Sequence, residues 1–286
     1  MEPVIVIAVK ISLAVAVFAI GLTTTTADVI YLLRKPAKLS RALLTMFVIM
    51  PAVVAVLVRS FELNRAVEIG LAALSVSPTP ALLPKKALRA NGHESYAVSL
   101  LVVTSLLAIV WVPLSLEIFE RIFAVSLHMG VLPIAGLMVT SVLAPLGAGI
   151  LVRAAAPHFA RSAAQPCAII SAIVLVVFVG AVLFAMFRPM RSLLGNGTLA
   201  AIVGFAIIGL ALGHLLGGPA PETRKVLALY TISRHPGIAI AIVQANFPEQ
   251  PLTLPAIILA VIVTAVVPLP YLSWAKSHET KAAVAE

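Results

Sequence analysis

Long unbroken apolar runs, separated by short clusters of charge, dominate the chain. A helix crossing a bilayer needs about 20 consecutive apolar residues, whereas the strands of a membrane barrel alternate apolar and polar positions over segments of about ten residues. The runs here are continuous, and nine of them fall near 4–24, 41–58, 66–84, 95–113, 132–152, 167–187, 198–217, 224–246 and 253–274. They predict an all-α polytopic membrane protein. The first run starts at Val4 with no basic segment before it and no polar break behind a small-residue site, so it reads as a retained span rather than a cleaved signal. No segment is long enough to form a separate soluble domain, and a single transmembrane domain over 1–286 is expected, with a polar tail from Lys276 to Glu286 that frays.

Composition supports this class and excludes others. The 286 residues are 61% hydrophobic and 11% charged, with a mean hydropathy of +1.11, where a soluble domain is about half apolar and a quarter charged. The net charge is +9, but the basic residues sit mostly in short loops, which points to topology and anionic lipid rather than nucleic acid. Cys167 is the only cysteine, so no disulfide forms within the chain and no cysteine metal cluster is expected; it reads as a packed helix residue. No zinc spacing, phosphate-binding loop, His-Glu-x-x-His motif, aspartate pair or Gly-x-Ser-x-Gly motif is found, so neither a metal, a cofactor nor an enzymatic activity is expected.

The basic residues also orient the chain. With the N-terminus outside, thirteen lie at inward ends and loops: Arg34, Lys35, Lys38, Arg41, Lys85, Lys86, Arg89, Arg153, Arg161, Arg224, Lys225, Lys276 and Lys281. Five lie outward: Arg59, Arg65, Arg121, Arg188 and Arg191. Lys10 and Arg234 lie inside spans. The asymmetry predicts a multi-pass protein of the cell membrane, a bacterial inner membrane by this reading, with N-terminus outside and C-terminus cytoplasmic.

Two spans are interrupted. The third contains Ser75-Val-Ser-Pro-Thr-Pro-Ala-Leu-Leu-Pro84, and the eighth contains Ser233-Arg-His-Pro-Gly237. Irregular backbone at membrane depth is tolerated only where protein shields it or where it lines a cavity, and paired interruptions in corresponding spans mark a transporter's binding site. If spans five to nine form a complete repeat (132–275), spans one to four (1–113) match its last four members. The third span then falls on the eighth in opposite orientation, as an inverted repeat requires.

At these residues the chain resembles the bile acid:sodium symporter family. Gly21–Pro51 is similar to a helix end, basic loop and following helix of that family. Ala73–Gly92 resembles its first broken helix and the turn after it, Met138–Arg153 the helix that opens the second repeat, and Leu227–Val243 the second broken helix. The resemblance implies a core domain, in which the two broken helices cross beside the substrate cavity, and a panel domain. It implies a secondary-active or facilitative transporter of a small organic anion working by alternating access.

The departures from the family pattern concern sodium. Anchored on Arg89-Ala90-Asn91, the family's Ser-Asn positions in the first break fall on Ala81 and Leu82. Anchored on Gly237, its Glu and Gln-Asn positions in the second fall on Tyr230, Arg234 and His235. Alanine, leucine and a permanently cationic guanidinium do not ligate sodium, so sodium-independent transport is expected. Two roles are open to Arg234: a fixed charge about where a sodium ion would sit, favouring an anion together with the half-helix N-termini, or a staple paired with Glu68 or with a carbonyl.

The other candidate substrate-binding residues have parallel alternatives. His235 either titrates and couples transport to protons, against the repulsion of Arg234, or stays neutral and donates to a carbonyl. Ser75, Ser77, Thr79 and Ser233 either cap the half-helices or bind substrate oxygens. Gln244 and Asn246 line the outer cavity or face its water. Lys85 and Lys86 serve topology and lipid contact or line an inner vestibule. Lys10 snorkels outward, within reach of Glu68, and Trp111, Tyr271 and Trp274 read as interfacial anchors. Three further functions compete: a non-transporting sensor or scaffold, a sodium-coupled symporter with substitute ligands, and an arsenite carrier, which the missing cysteine in the broken helix disfavours.

Overall fold

The computed structural model describes residues 2–123, 127 and 129–275, all helix and connecting turn, with no strand among them. In chain order the helices are α1 (Glu2–Gly21), α2 (Thr26–Val29), α3 (Pro36–Leu43), α4 (Met50–Ser60), α5 (Arg65–Val76), α6 (Leu83–Arg89), α7 (Glu94–Phe123), α8 (Val131–Met138), α9 (Ala144–Ala155), α10 (Pro157–Ser192), α11 (Thr198–Leu216), α12 (Pro221–Ile232), α13 (Pro236–Asn246) and α14 (Thr253–Val266). The π-helical segment Leu44–Ile49 joins α3 to α4, and Val139–Leu143 joins α8 to α9. The Lys276–Glu286 tail lies outside the described residues.

Seven stretches among the described residues are long and apolar enough to cross a bilayer: Pro36–Ser60, Glu94–Arg121, Val131–Ala155, Pro157–Ser192, Thr198–Leu216, Pro221–Asn246 and Thr253–Ala275. Ile7–Gly21 within α1 is a shorter apolar stretch. The expected third span is divided into α5 and α6, neither of which is a full crossing. Its prolines are the cause: Pro78 and Pro80 have no N–H to donate and force extended backbone on the residues before them, as in Ser77 with φ −72° and ψ 147°.

Two expected boundaries move. The fourth span does not stop at 113: α7 continues to Phe123 through Pro113. No loop separates the fifth and sixth spans, because α9 ends at Ala155 and Pro157 opens α10 at once; proline is accommodated in a first helical turn, where its missing N–H has no partner to lose. Arg161 therefore lies on α10, and Lys225, at the inward end of the eighth span, is buried in α12. Helix α10 turns Val176 and Phe184, 72% and 87% exposed, outward from the protein, as a lipid-facing helix does.

Glycine sets the closest helix contacts. A Cβ on Gly213 of α11 would lie 2.5 Å from the Ala228 Cα of α12, and one on Gly217 would lie 2.5 Å from the Arg224 Cα. With Gly209 against the Ile232 and Met50 side chains, these positions recur every four residues, and at Gly213 and Gly217 the α11 end lies backbone to backbone on α12. Gly21 of α1 and Gly149 of α9 meet in the same manner. Small residues at such crossings let dispersion act at short range where lipid supplies no hydrophobic drive.

The packing falls into two groups. Helices α1, α9 and α10 lie on one another. Helices α4, α5, α11, α12, α13 and α14 surround the two breaks, with α7 and α8 reaching across. Helix α5 packs on α13, and α6, lying between α7 and α12, packs on α12, so each half of one broken helix rests against the opposite half of the other.

Candidate functional site

The two breaks touch. Helix α12 stops at Ile232, and Ser233 is extended, with φ −90° and ψ 126°, before Pro236 starts α13. The His235 backbone N–H donates to the Pro78 carbonyl at 2.7 Å. One irregular backbone thus satisfies the other, which removes the cost of leaving both polar and buried. Beyond α6, Asn91 is left-handed with φ 55°, and a Cβ on Gly92 would lie 2.7 Å from Val226. This turn presses α6 onto α12, and the His93 N–H reaches the Glu222 carbonyl at 3.4 Å.

Arg234 fills the crossing. It is 4% exposed and donates from Nη2 to the Met46 carbonyl at 2.7 Å and from Nη1 to the Ser77 carbonyl at 3.3 Å. Both acceptors are carbonyls that proline has released. In the π-helical segment the Met50 N–H goes to Thr45, and Pro51 has no N–H, so Met46 lacks a backbone donor. Ser77 lies just past the end of α5, between Val76 and Pro78. A planar guanidinium serves two fixed acceptors at once, which an ammonium does less well. The Arg234 Nε has no partner among the described residues. The alternative pairing with Glu68 is not formed: Glu68 is held by Arg65 at 3.0 Å in the first turn of α5. That ion pair also occupies the carboxylate proposed for Lys10, whose own side chain is exposed.

His235 is the N-cap of α13, yet its side chain makes no capping bond. It is 5% exposed, and neither Nδ1 nor Nε2 has a partner among the described residues. The expected donation to a carbonyl is made by its backbone, not its ring. The ring folds over Gly237, whose Cβ, if present, would lie 3.0 Å from the His235 Cε1; glycine is what leaves the ring room. Pro236 has no N–H, and the Gly237 and Ile238 N–H groups that follow have no intrahelical acceptor, so they, the His235 ring and the Arg234 Nε are the polar groups left over at the second break.

The remaining candidates divide. Ser75 and Ser77 are fully buried and bond back to the Ala72 and Ala73 carbonyls, each at 2.7 Å. Thr79 exchanges a hydrogen bond with Thr104 of α7 at 2.8 Å, fixing the first break to that helix. The Tyr230 hydroxyl donates to the Ala97 carbonyl of α7 at 2.7 Å and is fully buried. Ser233 lies half-buried at the second break. Gln244 is exposed and Asn246, whose amide donates to Ile242 at 2.8 Å, is half-buried; both are two to three turns along α13 and are not brought to the crossing. Lys85 and Lys86 are half-buried on α6.

Trp111 is corrected. It lies mid-way along α7 because that helix runs on past 113, and it packs edge-on against Phe47 with ring centroids 5.6 Å apart. Its indole N–H is buried without a partner among the described residues. Tyr271 and Trp274 sit together with ring centroids 6.1 Å apart, with His214 at 2.9 Å from the Tyr271 hydroxyl. Cys167 is half-buried within α10, and the described residues hold no cluster of metal-ligating side chains.

Sequence reasoning missed Met46, Ala97 and Thr104. Pro51 was a signal for the first, since a proline in a span orphans a carbonyl upstream. Nothing in the chain marks the Ala97 carbonyl or Thr104 as partners of residues so distant in sequence.

Comparison with known proteins identifies a family and several relatives. The profile described as "Sodium Bile acid symporter family" matches residues 10–189, which include the first break. The mouse "P3 protein" is 24% identical over 189 residues, covering 65% of this chain and 39% of its own, and the bovine protein of that name is 25% identical over 187 residues. This chain thus spans about two-fifths of the length of those relatives. The "Uncharacterized sodium-dependent transporter YocS" of Bacillus subtilis (strain 168) is 25% identical over 246 residues, 84% of this chain and 74% of that one. A match over more than half of the chain, on a helical membrane fold with two interrupted helices in contact, places it: the protein belongs to the sodium bile acid symporter family.

Proposed function

We propose that this protein carries a small organic anion across the membrane by alternating access, without sodium. The observation that supports this reading is the Arg234 guanidinium, buried at the crossing and bonded to two backbone carbonyls. A permanent cation there does what a bound sodium ion does for freed carbonyls and for a negative substrate. A sodium ion beside it meets Coulomb repulsion of about 4 kcal/mol at 4 Å and an effective dielectric near 20. The names of the family and of the Bacillus relative include sodium; the ligand positions at Ala81, Leu82 and Tyr230 argue that this chain departs from them.

The unpartnered Arg234 Nε, the His235 ring and the first turn of α13 supply the anion's donors in this reading. Helix α6, with seven residues, adds little field of its own. The pairing of α5 with α13 and of α6 with α12 is the arrangement expected of inverted repeats over 1–113 and 132–275, with the breaks in a core group and α1, α9 and α10 in a panel. Motion of one group against the other then exposes the crossing to each side in turn. Sensors and scaffolds do not exchange ligand across a membrane, so counterflow in liposomes separates them from a carrier. A thermal-shift screen of carboxylates and sulfonates on purified protein, in sodium and in choline at matched ionic strength, tests the sodium claim. Stabilisation by an anion to the same degree in both salts is expected, and stabilisation confined to sodium defeats the reading.

The orientation is a separate prediction. With N-terminus outside and C-terminus inside, a reporter fused after Glu286 is active in the cytoplasm. Activity on the outer side instead would reverse the assignment of every loop.

A further inference from the structure

The anion-carrier reading, on which this inference rests, leaves the driving charge unassigned. A concentrative carrier needs a group at the crossing that takes up a charge on one side and releases it on the other. Arg234 does not, because a guanidinium keeps its proton. Ser75, Ser77, Thr79 and Ser233 do not titrate, and the Tyr230 hydroxyl is committed to the Ala97 carbonyl. His235 is left, buried, with both ring nitrogens unpartnered among the described residues.

The surroundings of the ring are plain. Helix α13 packs on α5, α8 and α14. Within their bounds α8 and α14 carry no ionisable side chain, and α5 carries Arg65 and Glu68, which pair with each other in its first turn. Glu222, Arg224 and Lys225 lie in the first turns of α12, remote from the break, and Lys85, Lys86 and Arg89 lie on α6 beyond the other break. The charge next to the ring in the chain is that of Arg234.

We propose that His235 carries one proton together with the anion, so that a proton takes the coupling role that sodium has in the names of the relatives. With the site empty, a charge on the buried ring would stand beside that of Arg234 with no anion to offset either, and the carrier crosses with His235 neutral. An anion held by Arg234 and the first turn of α13 cancels that charge. The ring then binds a proton from the water on the side where the anion entered, donates its new N–H to the anion, and gives both up on the other side. Anion and proton each raise the affinity for the other by the same factor, as linkage requires. A monovalent anion and one proton together move no net charge.

The test uses the purified full chain in liposomes with a pH-sensitive dye inside. Radiolabelled benzenesulfonate or taurocholate is added outside; sulfonates stay ionised at every pH used, so a proton that enters with them is carried by the protein. The wild type should acidify the interior by about one proton per anion accumulated. His235→Gln and His235→Asn should bring the count of protons per anion close to zero, whatever rate of anion movement remains. Anion movement without acidification in the wild type overturns the proposal, as does an unchanged proton count in both variants. Failure of either sulfonate to show counterflow in the wild type overturns the anion reading itself, and is distinguished from loss of coupling because counterflow needs no proton gradient.

Discussion

Arg234→Ala should weaken binding of an anionic ligand by about ten- to a hundredfold, the loss expected when a charge-assisted hydrogen bond contributing about 1.5–3 kcal/mol is removed. Arg234→Glu should weaken it further and raise affinity for cations, because a carboxylate then faces the freed carbonyls. The substitution has a second consequence. Without the guanidinium the Met46 and Ser77 carbonyls lose their donor, and a buried acceptor left unsatisfied costs about 1–3 kcal/mol, so the melting temperature should fall as well. Arg234→Lys separates the two effects: it keeps the charge, but one ammonium does not match two fixed carbonyls as the guanidinium fork does. Partial recovery of anion affinity with stability still lowered is the expected pattern. An Arg234→Ala protein that binds every anion as the wild type does, measured by calorimetry on folded protein, would reduce the arginine to a staple. A steep sodium dependence of binding in the wild type would contradict the substituted-cation reading independently.

Gly213→Ala should be among the most destabilising single-methyl changes in the protein. The added Cβ meets the backbone of Ala228 at 2.5 Å from its Cα and 2.7 Å from its nitrogen, and backbone does not turn aside as a side chain does. Helices α11 and α12 must separate, with a loss of about 3 kcal/mol, at the upper end of ordinary overpacking. Because α12 leads into the second break, the displacement also moves Arg234. Gly147→Ala in α9 is the matched control. Nothing among the described residues lies within 4 Å of its added Cβ, and alanine is favoured over glycine in a helix by up to about 1 kcal/mol, so this change should be neutral or mildly stabilising. Thermal unfolding of the two variants in detergent gives the comparison directly. Equal melting temperatures would mean that α11 and α12 do not pack at the distance described.

Much of the architecture follows from local chemistry, and so was legible in the chain. Bilayer thickness fixes the length of an apolar run, and the runs appear as helices, with boundaries moved at the end of α7 and between α9 and α10. Proline acts on its immediate neighbours, so Pro78, Pro80 and Pro236 announced both breaks. A guanidinium in an apolar span requires acceptors, so Arg234 stood out before its partners were known. Other features depended on neighbours far away in sequence. The extension of α7 through Pro113 moved Trp111 from a helix end to its middle, because tertiary packing outweighed the local break signal. Glu68 had several cations within plausible reach, and the turn of α5 gave it to Arg65. Candidate residues spread along α13 looked alike as polar positions in an apolar segment, but helical rise carries Gln244 and Asn246 away from the crossing while leaving His235 at it.

The sequence by itself determined that this is a helical membrane protein resembling a transporter family, and where two of its spans are interrupted. Those properties reside in residue types and in spacings along one chain. Only the tertiary structure decided that the Arg234 charge is received by the carbonyls of Met46 and Ser77, that Thr79 and Tyr230 are tied to α7, and that the His235 ring is left without a partner among the described residues. A carbonyl carries no mark in the sequence beyond the prolines near it, and whether a polar group is satisfied depends on which helices meet, which is settled by packing of the whole chain.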